Sequence, residues 1–276
     1  MTQVPVTHGY AVLSLWACIL MAGLLSSAGE DVPQHAPSGF GSIEGRVRFL
    51  GTVPRAEVPD NAGRRRPILN VEGSDNDLRY AVVYLSGPEA EKASPGEEIS
   101  VDSASGITVI DQRDLAFVPH LVAVRSGQRV AFSNSDPENH NVRAQAELPR
   151  NRFNILTGSG LDYERQFQPE PNDNPVRLSC DIHPWMSAWV FAFDHPYFDV
   201  TGEHGLFSIE AVPAGTYSIV VYQPDGRLRA EGQVAVAAGD PARLNVEFSQ
   251  THLGGARILK IETQRVGPEE GPAVPG

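Results

Sequence analysis

Sulfur is scarce in this chain. It contains 2 cysteines and 3 methionines among 276 residues, and after residue 28 only Cys180 and Met186 remain. A disulfide within that region is therefore excluded. Exported proteins usually pair their cysteines in disulfides. If this chain is exported, as its N-terminal segment described below predicts, its unpaired thiol needs an explanation. Metal ligation is one; burial as an inert thiol is the alternative.

Positive charge is also scarce. The 22 Lys and Arg residues face 34 Asp and Glu residues, which gives a formal net charge of −12. This balance disfavours nucleic acid as a partner. The single basic run, residues 64–66, is predicted to be a solvated loop.

The N-terminal segment predicts export. Residues 10–25 are apolar but too few for a comfortable membrane span, and small residues follow at 26–28. We expect a signal peptide over residues 1–28, a periplasmic or secreted protein, and no membrane span after cleavage. Because no Lys or Arg precedes Tyr10, an uncleaved N-terminal membrane anchor is the alternative.

No segment has a long helical period, and the apolar stretches alternate or are rich in β-branched residues. This pattern predicts an all-β chain built as two packed sandwiches. Residues 53–78 and 86–105 are predicted to be long loops, and residues 266–276 a disordered tail. The predicted strands cover residues 42–49, 80–85, 107–110, 121–124, 129–133, 176–179, 188–193, 206–209, 216–222, 233–237 and 242–248.

One short segment concentrates soft metal ligands. Cys180, His183 and Met186 offer a thiolate, an imidazole and a thioether, which together favour a mononuclear copper site. His140 is the candidate for a second imidazole. Zinc is the alternative, although zinc rarely recruits methionine and no second cysteine is available. Thiol catalysis is poorly supported, because nothing marks a substrate pocket or an oxyanion hole.

These residues resemble the cupredoxins, the type 1 blue copper family. Residues 115–119, 127–134 and 140–142 resemble the first half of plastocyanin. The Cys-x-x-His-x-x-Met loop, with Pro184 after the histidine, is similar to the loop of amicyanin from bacterial methylamine oxidation. The resemblance covers about residues 106–194 and implies a Greek-key β-sandwich, which we place at residues 97–195.

The resemblance implies a role for each side chain. It makes His140, Cys180 and His183 the strong ligands of one type 1 copper and Met186 the weak axial ligand. It also implies that Asn141 ties the two ligand loops together through the residue after the cysteine. That residue is usually a hydroxyl amino acid but is Asp181 here, so the hydrogen bonds around the metal need not follow the family pattern.

The family also implies a function without chemistry of its own. His183, Leu115, Pro184 and Trp185 match an apolar patch used for transient docking, and the copper would carry single electrons between redox proteins, such as a dehydrogenase or a cytochrome. The alternative is a secreted binding or structural module that stores copper or has no redox role. His120 is expected not to be a ligand, and His195 is expected at a domain junction.

A second resemblance covers residues 200–221, which are similar to the carboxypeptidase regulatory-like, or transthyretin-like, sandwich. Residues 41–49 and 81–85 look like opening strands of the same type. We therefore expect a sandwich split over residues 38–90 and 196–250, with the copper domain inserted, and serving as a spacer or interaction module. The alternative is that residues 38–90 add strands to the copper domain.

Overall fold

The computed structural model describes residues 39–93 and 106–261 of the chain. The predicted signal peptide and the predicted tail lie outside these residues. Within them the all-β prediction is confirmed: β-strands dominate, and the one α-helix is a single short element, Pro88–Ala93 (α1). None of the helices in these ranges is long and apolar enough to cross a membrane.

The strands fall into three consecutive groups along the chain. The first group is β1 (Phe40–Leu50), β2 (Val71–Glu72), β3 (Asp77–Leu78) and β4 (Val82–Ser86). The second group is β5 (Thr108–Arg113), β6 (Ala116–Val118), β7 (Leu121–Arg125), β8 (Arg129–Asn134), β9 (His140–Gln145), β10 (Phe153–Thr157), β11 (Asp162–Gln166), β12 (Val176–Ser179) and β13 (Ser187–Phe193). The third group is β14 (Phe198–Val200), β15 (Leu206–Pro213), β16 (Gly215–Gln223), β17 (Leu228–Val236), β18 (Pro241–Ser249) and β19 (Ile258–Ile261).

These strands form four sheets. The first and third groups together build sheet 1 (β15-β1-β3-β2, with β18 also paired to β1) and sheet 2 (β14-β4-β16-β17-β19). The second group alone builds sheet 3 (β10-β9-β12-β13-β7) and sheet 4 (β11-β8-β5-β6). We call sheets 1 and 2 sandwich 1, and sheets 3 and 4 sandwich 2. Four short 3-10 helices lie in the connections, at Pro149–Asn151, Pro171–Asp173, Glu203–Gly205 and Gln250–Gly255.

The sheets are stacked in the order 1, 2, 3, 4. This order is seen in the central strands, whose alternate residues belong to different cores. In β4, Val83 and Leu85 belong to the core of sandwich 1, whereas Val82 and Tyr84 belong to a separate cluster shared with sheet 3. In β13, Val190 faces the core of sandwich 2, whereas its neighbours face that shared cluster. Side chains of a strand point alternately to its two faces, so a strand buried on both faces becomes apolar throughout.

The shared cluster between the sandwiches is aromatic and almost fully buried. Its fully buried members are Val82, Tyr84, Leu121, Phe191, Phe193 and Val220. A carboxylate lies at the edge of this junction: Asp225, in the turn after β16, accepts hydrogen bonds from His120 Nε2 at 2.8 Å and from Trp189 Nε1 at 2.8 Å. The two sandwiches are therefore joined by an apolar layer and by a half-buried carboxylate whose hydrogen bonds are satisfied.

Sequence patterns found the strands that are buried or alternate regularly, and missed several that are very short or mostly polar. The predicted loop at residues 53–78 contains the short strands β2 and β3, and the start of the predicted loop at 86–105 is helix α1. Both loop predictions were therefore wrong at these points. The strand β9, which begins with His140, was also missed, because it alternates polar residues with only Val142 and Ala144 on its inner side. The strand β11 has little buried apolar surface, since it lies at a sheet edge.

Candidate metal centre

The loop between β12 and β13 is held in a compact shape by its own backbone. Ser179 pairs with Ser187 at the ends of the two strands, which closes the loop at residues 180–186. Within it, Met186 donates its backbone N–H to the His183 carbonyl at 2.9 Å, and Cys180 donates its N–H to the Met186 carbonyl at 3.3 Å. The loop is therefore a constrained hairpin end, which fixes where its side chains lie.

A second strand brings the remaining imidazole to this loop. His140 is the first residue of β9, and β9 pairs with β12 so that Arg143 lies opposite Ser179. The strand start that carries His140 therefore lies beside the strand end that precedes Cys180. This adjacency joins residues 40 positions apart in the sequence, and it depends on sheet topology rather than on local pattern.

Three donor atoms converge on one point. The Nδ1 atoms of His140 and His183 are 2.9 Å apart, and the Cys180 Sγ lies 4.0 Å from the first and 3.8 Å from the second. These three residues form a group whose ligand atoms all lie within 4.8 Å of one another, and no other group of three such residues was found in the described ranges. His140 and Cys180 are buried, and His183 is half-buried.

Met186 belongs to the same buried region. Its side chain is 1% exposed and packs in the core of sandwich 2 together with Cys180. The sulfur chemistry at this end of the sandwich is thus sequestered from solvent. A thiolate, two imidazoles and a nearby thioether are soft donors that suit a mononuclear copper ion, and the first three also suit zinc.

Asp136 sets the tautomer of His140, and sequence reasoning missed it. The Asp136 carboxylate is 2.9 Å from the Nε2 of His140 and also accepts the backbone N–H groups of Asp114 (2.8 Å) and Leu115 (3.0 Å). Burial raises the pKa of this carboxyl, but the donors outweigh burial and hold the pKa below its usual range. An ionised carboxylate keeps the proton on Nε2 of His140. The lone pair on Nδ1 therefore faces the Cys180 sulfur and the His183 Nδ1.

The signal for Asp136 was present in the sequence. It lies four residues before His140, in the turn that connects β8 to β9. Carboxylates that accept the second N–H of a ligating histidine are common at metal sites. Glu138 lies even nearer to His140, so the sequence marks Asp136 as one of two candidate partners and the turn decides between them.

The pKa of the His183 ring is lowered. Burial is the largest cause, and the neighbouring His140 ring adds to it. The ring is therefore held in its neutral form, which is the form that binds a metal.

Asn141 and Asp181 join the two loops, as the family resemblance implied for Asn141. The Oδ1 of Asn141 accepts the backbone N–H of Asp181 at 2.7 Å and lies 3.4 Å from the Cys180 sulfur. In return, the Asp181 carboxylate accepts the side-chain N–H groups of Asn141 (3.1 Å), Asn154 (3.0 Å) and Arg143 (3.2 Å). Asp181 thus ties the two loops through both its backbone N–H and its carboxylate.

The rim of the centre contains the three residues expected to form a docking patch. Trp185 donates its Nε1–H to the Leu115 carbonyl at 3.2 Å, which ties the two rim loops together. The rings of His183 and Trp185 lie 5.3 Å apart. Pro184 and the neighbouring Ile182 are exposed, the latter by 49%. The half-buried imidazole therefore lies among apolar side chains.

His120 and His195, which the sequence analysis also considered, lie outside this group. His120 pairs with Asp225 at the junction of the sandwiches. His195 is buried, stacks between Phe193 and Tyr197, and accepts the Tyr197 N–H at 3.2 Å. Burial lowers the pKa of His195 to about 4, and Arg125 adds to the effect.

Comparisons with known proteins returned likenesses in structure only. No family model and no curated protein matches the chain. Among solved structures, a reduced tryptophan-to-tyrosine mutant of amicyanin is 20% identical and covers 34% of this chain and 88% of its own, with a TM-score of 0.29. Amicyanin from Paracoccus versutus is 18% identical and covers 34% and 87%, with a TM-score of 0.28.

A purple cupredoxin from Nitrosopumilus maritimus is 18% identical and covers 31% of this chain and 99% of its own, with a TM-score of 0.26. The identities and TM-scores of all three are too low to carry a function to this chain. The chemistry of the centre is therefore read from its own side chains.

Proposed function

We propose that this chain binds one copper ion as a type 1 centre and carries single electrons between redox proteins. The observation that carries the proposal is the convergence of the His140, Cys180 and His183 donor atoms at separations of 2.9 to 4.0 Å. His140, Cys180 and His183 would be the strong ligands and Met186 the axial one. When bound there, copper supplies a one-electron couple between Cu(II) and Cu(I).

The protein residues contribute rigidity and exclusion of water. Asp136 orients the His140 ring, and Asn141 fixes the position of the cysteine loop against β9. Burial of Cys180, His140 and Met186 keeps solvent from the donors. A site that changes little between oxidation states suits electron transfer, and the thioether and lack of a second thiolate favour copper over zinc.

The rim gives the electron a short route to a partner. His183 is the least buried of the three converging residues, and Leu115, Pro184 and Trp185 surround it. We propose brief docking of a dehydrogenase or a cytochrome at this patch, since small interfaces allow rapid release. In this role the chain itself is not an enzyme.

We further propose that sandwich 1 is a carboxypeptidase regulatory-like module into which the copper domain is inserted. Strands from both sides of residues 108–193 share sheets 1 and 2, which supports this division at about residues 38–90 and 196–250. β1 pairs with β15 and β18 rather than with β16, although Val47 and Ile219 belong to one core. Export, with cleavage after about residue 28, completes the proposal and is checked by the N-terminal mass of the protein recovered from the cell exterior or periplasm.

The proposal is tested by adding Cu(II) to the purified chain and recording visible and EPR spectra. An intense blue colour and a narrow copper hyperfine splitting are expected, because a thiolate shares its electron density with the metal. Cys180→Ser should abolish the colour, and Met186→Leu should keep it while changing the reduction potential. If both variants give the spectrum of the parent, the ligand assignment is wrong. A chain that holds Cu(I) but cannot be cycled reversibly would instead be a storage protein.

A further inference from the structure

One half of sheet 3 presents an uncovered face rich in arginine. On β9, β10 and β12 the outward residues Arg143, Asn154 and Arg177 are all exposed. The register places Arg143 opposite Asn154 on one side, and Arg177 opposite Gln145. Arg152, just before β10, is exposed beside them and donates to the Ala146 carbonyl at 2.7 Å. We call residues 143, 145, 152, 154 and 177 the arginine face.

The other half of the same sheet is apolar and covered. The outward residues Phe191 and Phe193 of β13 are 1% and 2% exposed, because sheet 2 packs on them. The arginine face begins at the next strand, where Arg177 pairs with Trp189. Apart from Leu156, which is 69% exposed at the next outward position of β10, its side chains are polar, which disfavours an apolar occupant of the kind that covers β13.

Positive charge on this face is only partly balanced. Two exposed carboxylates border it: Asp181, which pairs with Arg143 at 3.2 Å, and Glu147, which accepts from Asn174 at 2.7 Å. Arg177 makes no side-chain hydrogen bond or ion pair with any residue in the described ranges. Arg177 is therefore the one unpaired guanidinium of this face, because Arg143 pairs with Asp181 and Arg152 donates to the Ala146 and Glu147 carbonyls.

The arginine face adjoins the candidate metal centre. Arg143 lies three residues after His140 on β9, and the Asp181 to which it is bonded directly follows Cys180. A partner bound here would approach the centre from the Cys180 side. A partner bound at the apolar patch would approach it from the His183 side. The chain therefore offers two separate approaches to one site.

We propose that the arginine face docks an acidic surface patch of a redox protein, and this inference rests on the proposed electron-transfer function. A guanidinium binds a carboxylate through two parallel hydrogen bonds, so exposed arginines recognise clustered Asp and Glu side chains. Complementary charge also steers the encounter and raises the association rate.

A second basic cluster, at residues 64–66, is the natural comparison and is a weaker candidate. The buried Asp60 carboxylate binds the side chains of Arg64 and Arg66 at 3.1 and 3.3 Å. Hydrogen bonds led by the Arg64 N–H hold its pKa at about 2, so it is ionised and neutralises part of the cluster. The loop also lies in sandwich 1, in a chain segment that contributes nothing to the metal centre.

The first experiment needs no bound metal. Hexacyanochromate(III), a paramagnetic and redox-inert trivalent anion, is added to the full chain without metal, and amide line broadening is followed by NMR. Broadening is expected on β9, β10 and β12, and Arg177→Glu should weaken it by about tenfold in apparent affinity. Arg65→Glu, an equal charge change at another exposed arginine, should leave it unchanged. Broadening centred on residues 64–66, or spread evenly over the surface, overturns the proposal.

The second experiment uses protein partners and the copper-loaded chain. An acidic plant-type ferredoxin is expected to bind in a salt-dependent manner, and Arg177→Glu should weaken this binding by about tenfold while Arg65→Glu does not. Equal binding by the basic mitochondrial cytochrome c, or tighter binding of a short DNA duplex, would contradict an acidic protein partner. If the anion maps to the arginine face but the chain never binds copper, the docking surface stands and the electron-transfer function fails. If the chain is blue and redox-active but anions bind elsewhere, the electron-transfer function stands and the docking surface fails.

Discussion

Among the described residues, two carboxylate–imidazole pairs are shorter than 3 Å, and only one of them belongs to the candidate metal centre. His140 Nε2 lies 2.9 Å from Asp136 in sandwich 2, and His120 Nε2 lies 2.8 Å from Asp225 at the junction. In the first pair the imidazole is the central group, because its other nitrogen faces Cys180 and His183. In the second pair the carboxylate is the central group, because Asp225 accepts from several side chains around it.

The difference shows what makes such a pair a ligand. Asp225 accepts from the Trp189 and Gln223 side chains as well as from His120, so one carboxylate satisfies three donors and holds the two sandwiches together. Asp136 accepts from two backbone N–H groups and one ring, which leaves the far side of that ring free to bind a metal. What the second ring nitrogen faces, rather than the carboxylate, decides the role of a buried histidine.

The largest effect is expected from breaking the junction pair. Asp225→Ala leaves the His120 and Trp189 donors without their acceptor at the half-buried edge of the junction, and the free energy of unfolding should fall by about 3 kcal/mol. Urea unfolding followed by fluorescence measures it. The copper spectrum of the folded variant should match that of the parent, and a stability change too small to resolve would show that the junction carboxylate is dispensable.

Breaking the other pair should act on the metal centre. Asp136→Asn removes the charge that holds the proton on His140 Nε2, so copper affinity should fall by about tenfold or more. Competition with a Cu(I)-selective chelator measures the affinity. Asp225→Asn is the matched control, made at the junction with the same chemical change, and equal losses of affinity in both variants would contradict the distinction drawn here.

A third histidine sharpens the comparison, because His195 is buried but forms no ion pair with a carboxylate in the described residues. Its pKa falls from 6.5 to about 4 on folding, since burial disfavours the charged ring. The folded protein prefers the neutral ring. Its stabilising contribution is therefore complete above pH 6.5 and is lost as the pH falls from 6.5 towards 4.

This contribution should amount to about 2 kcal/mol across that pH range. Unfolding midpoints measured at several pH values test it, with His195→Phe as the control whose stability should depend less on pH. If the stability of the parent protein rises as the pH is lowered from 6.5 to 4, another group dominates and the neutral His195 ring is not a stabilising element.

The sequence predicted the candidate donors because their types are rare in it. With one cysteine and one methionine after residue 28, Cys180 and Met186 attract attention without any structure, and His183 lies between them. The strands with two buried faces were equally visible, since 188–193 and 216–222 are almost entirely apolar. His140 was chosen from its family-like context, and the structure brings it within 2.9 Å of His183.

The partners of these residues were not visible in the same way. Asp136 is one acid among 34 Asp and Glu residues, and only the turn between β8 and β9 shows which ring it meets. His120 and Asp225 are 105 positions apart, in different sandwiches, and no local pattern joins them. Their pairing follows from the stacking of sheet 2 on sheet 3.

The sequence by itself determined the all-β class and the soft character of the candidate metal centre, because alternation and ligand type are local properties of residues. Only the tertiary structure decided which histidine faces the thiol, which one joins the sandwiches, and which half of sheet 3 remains open as the arginine face. Those outcomes depend on which strands become neighbours, and strand order is set by the burial of apolar faces over the whole chain rather than by any one segment.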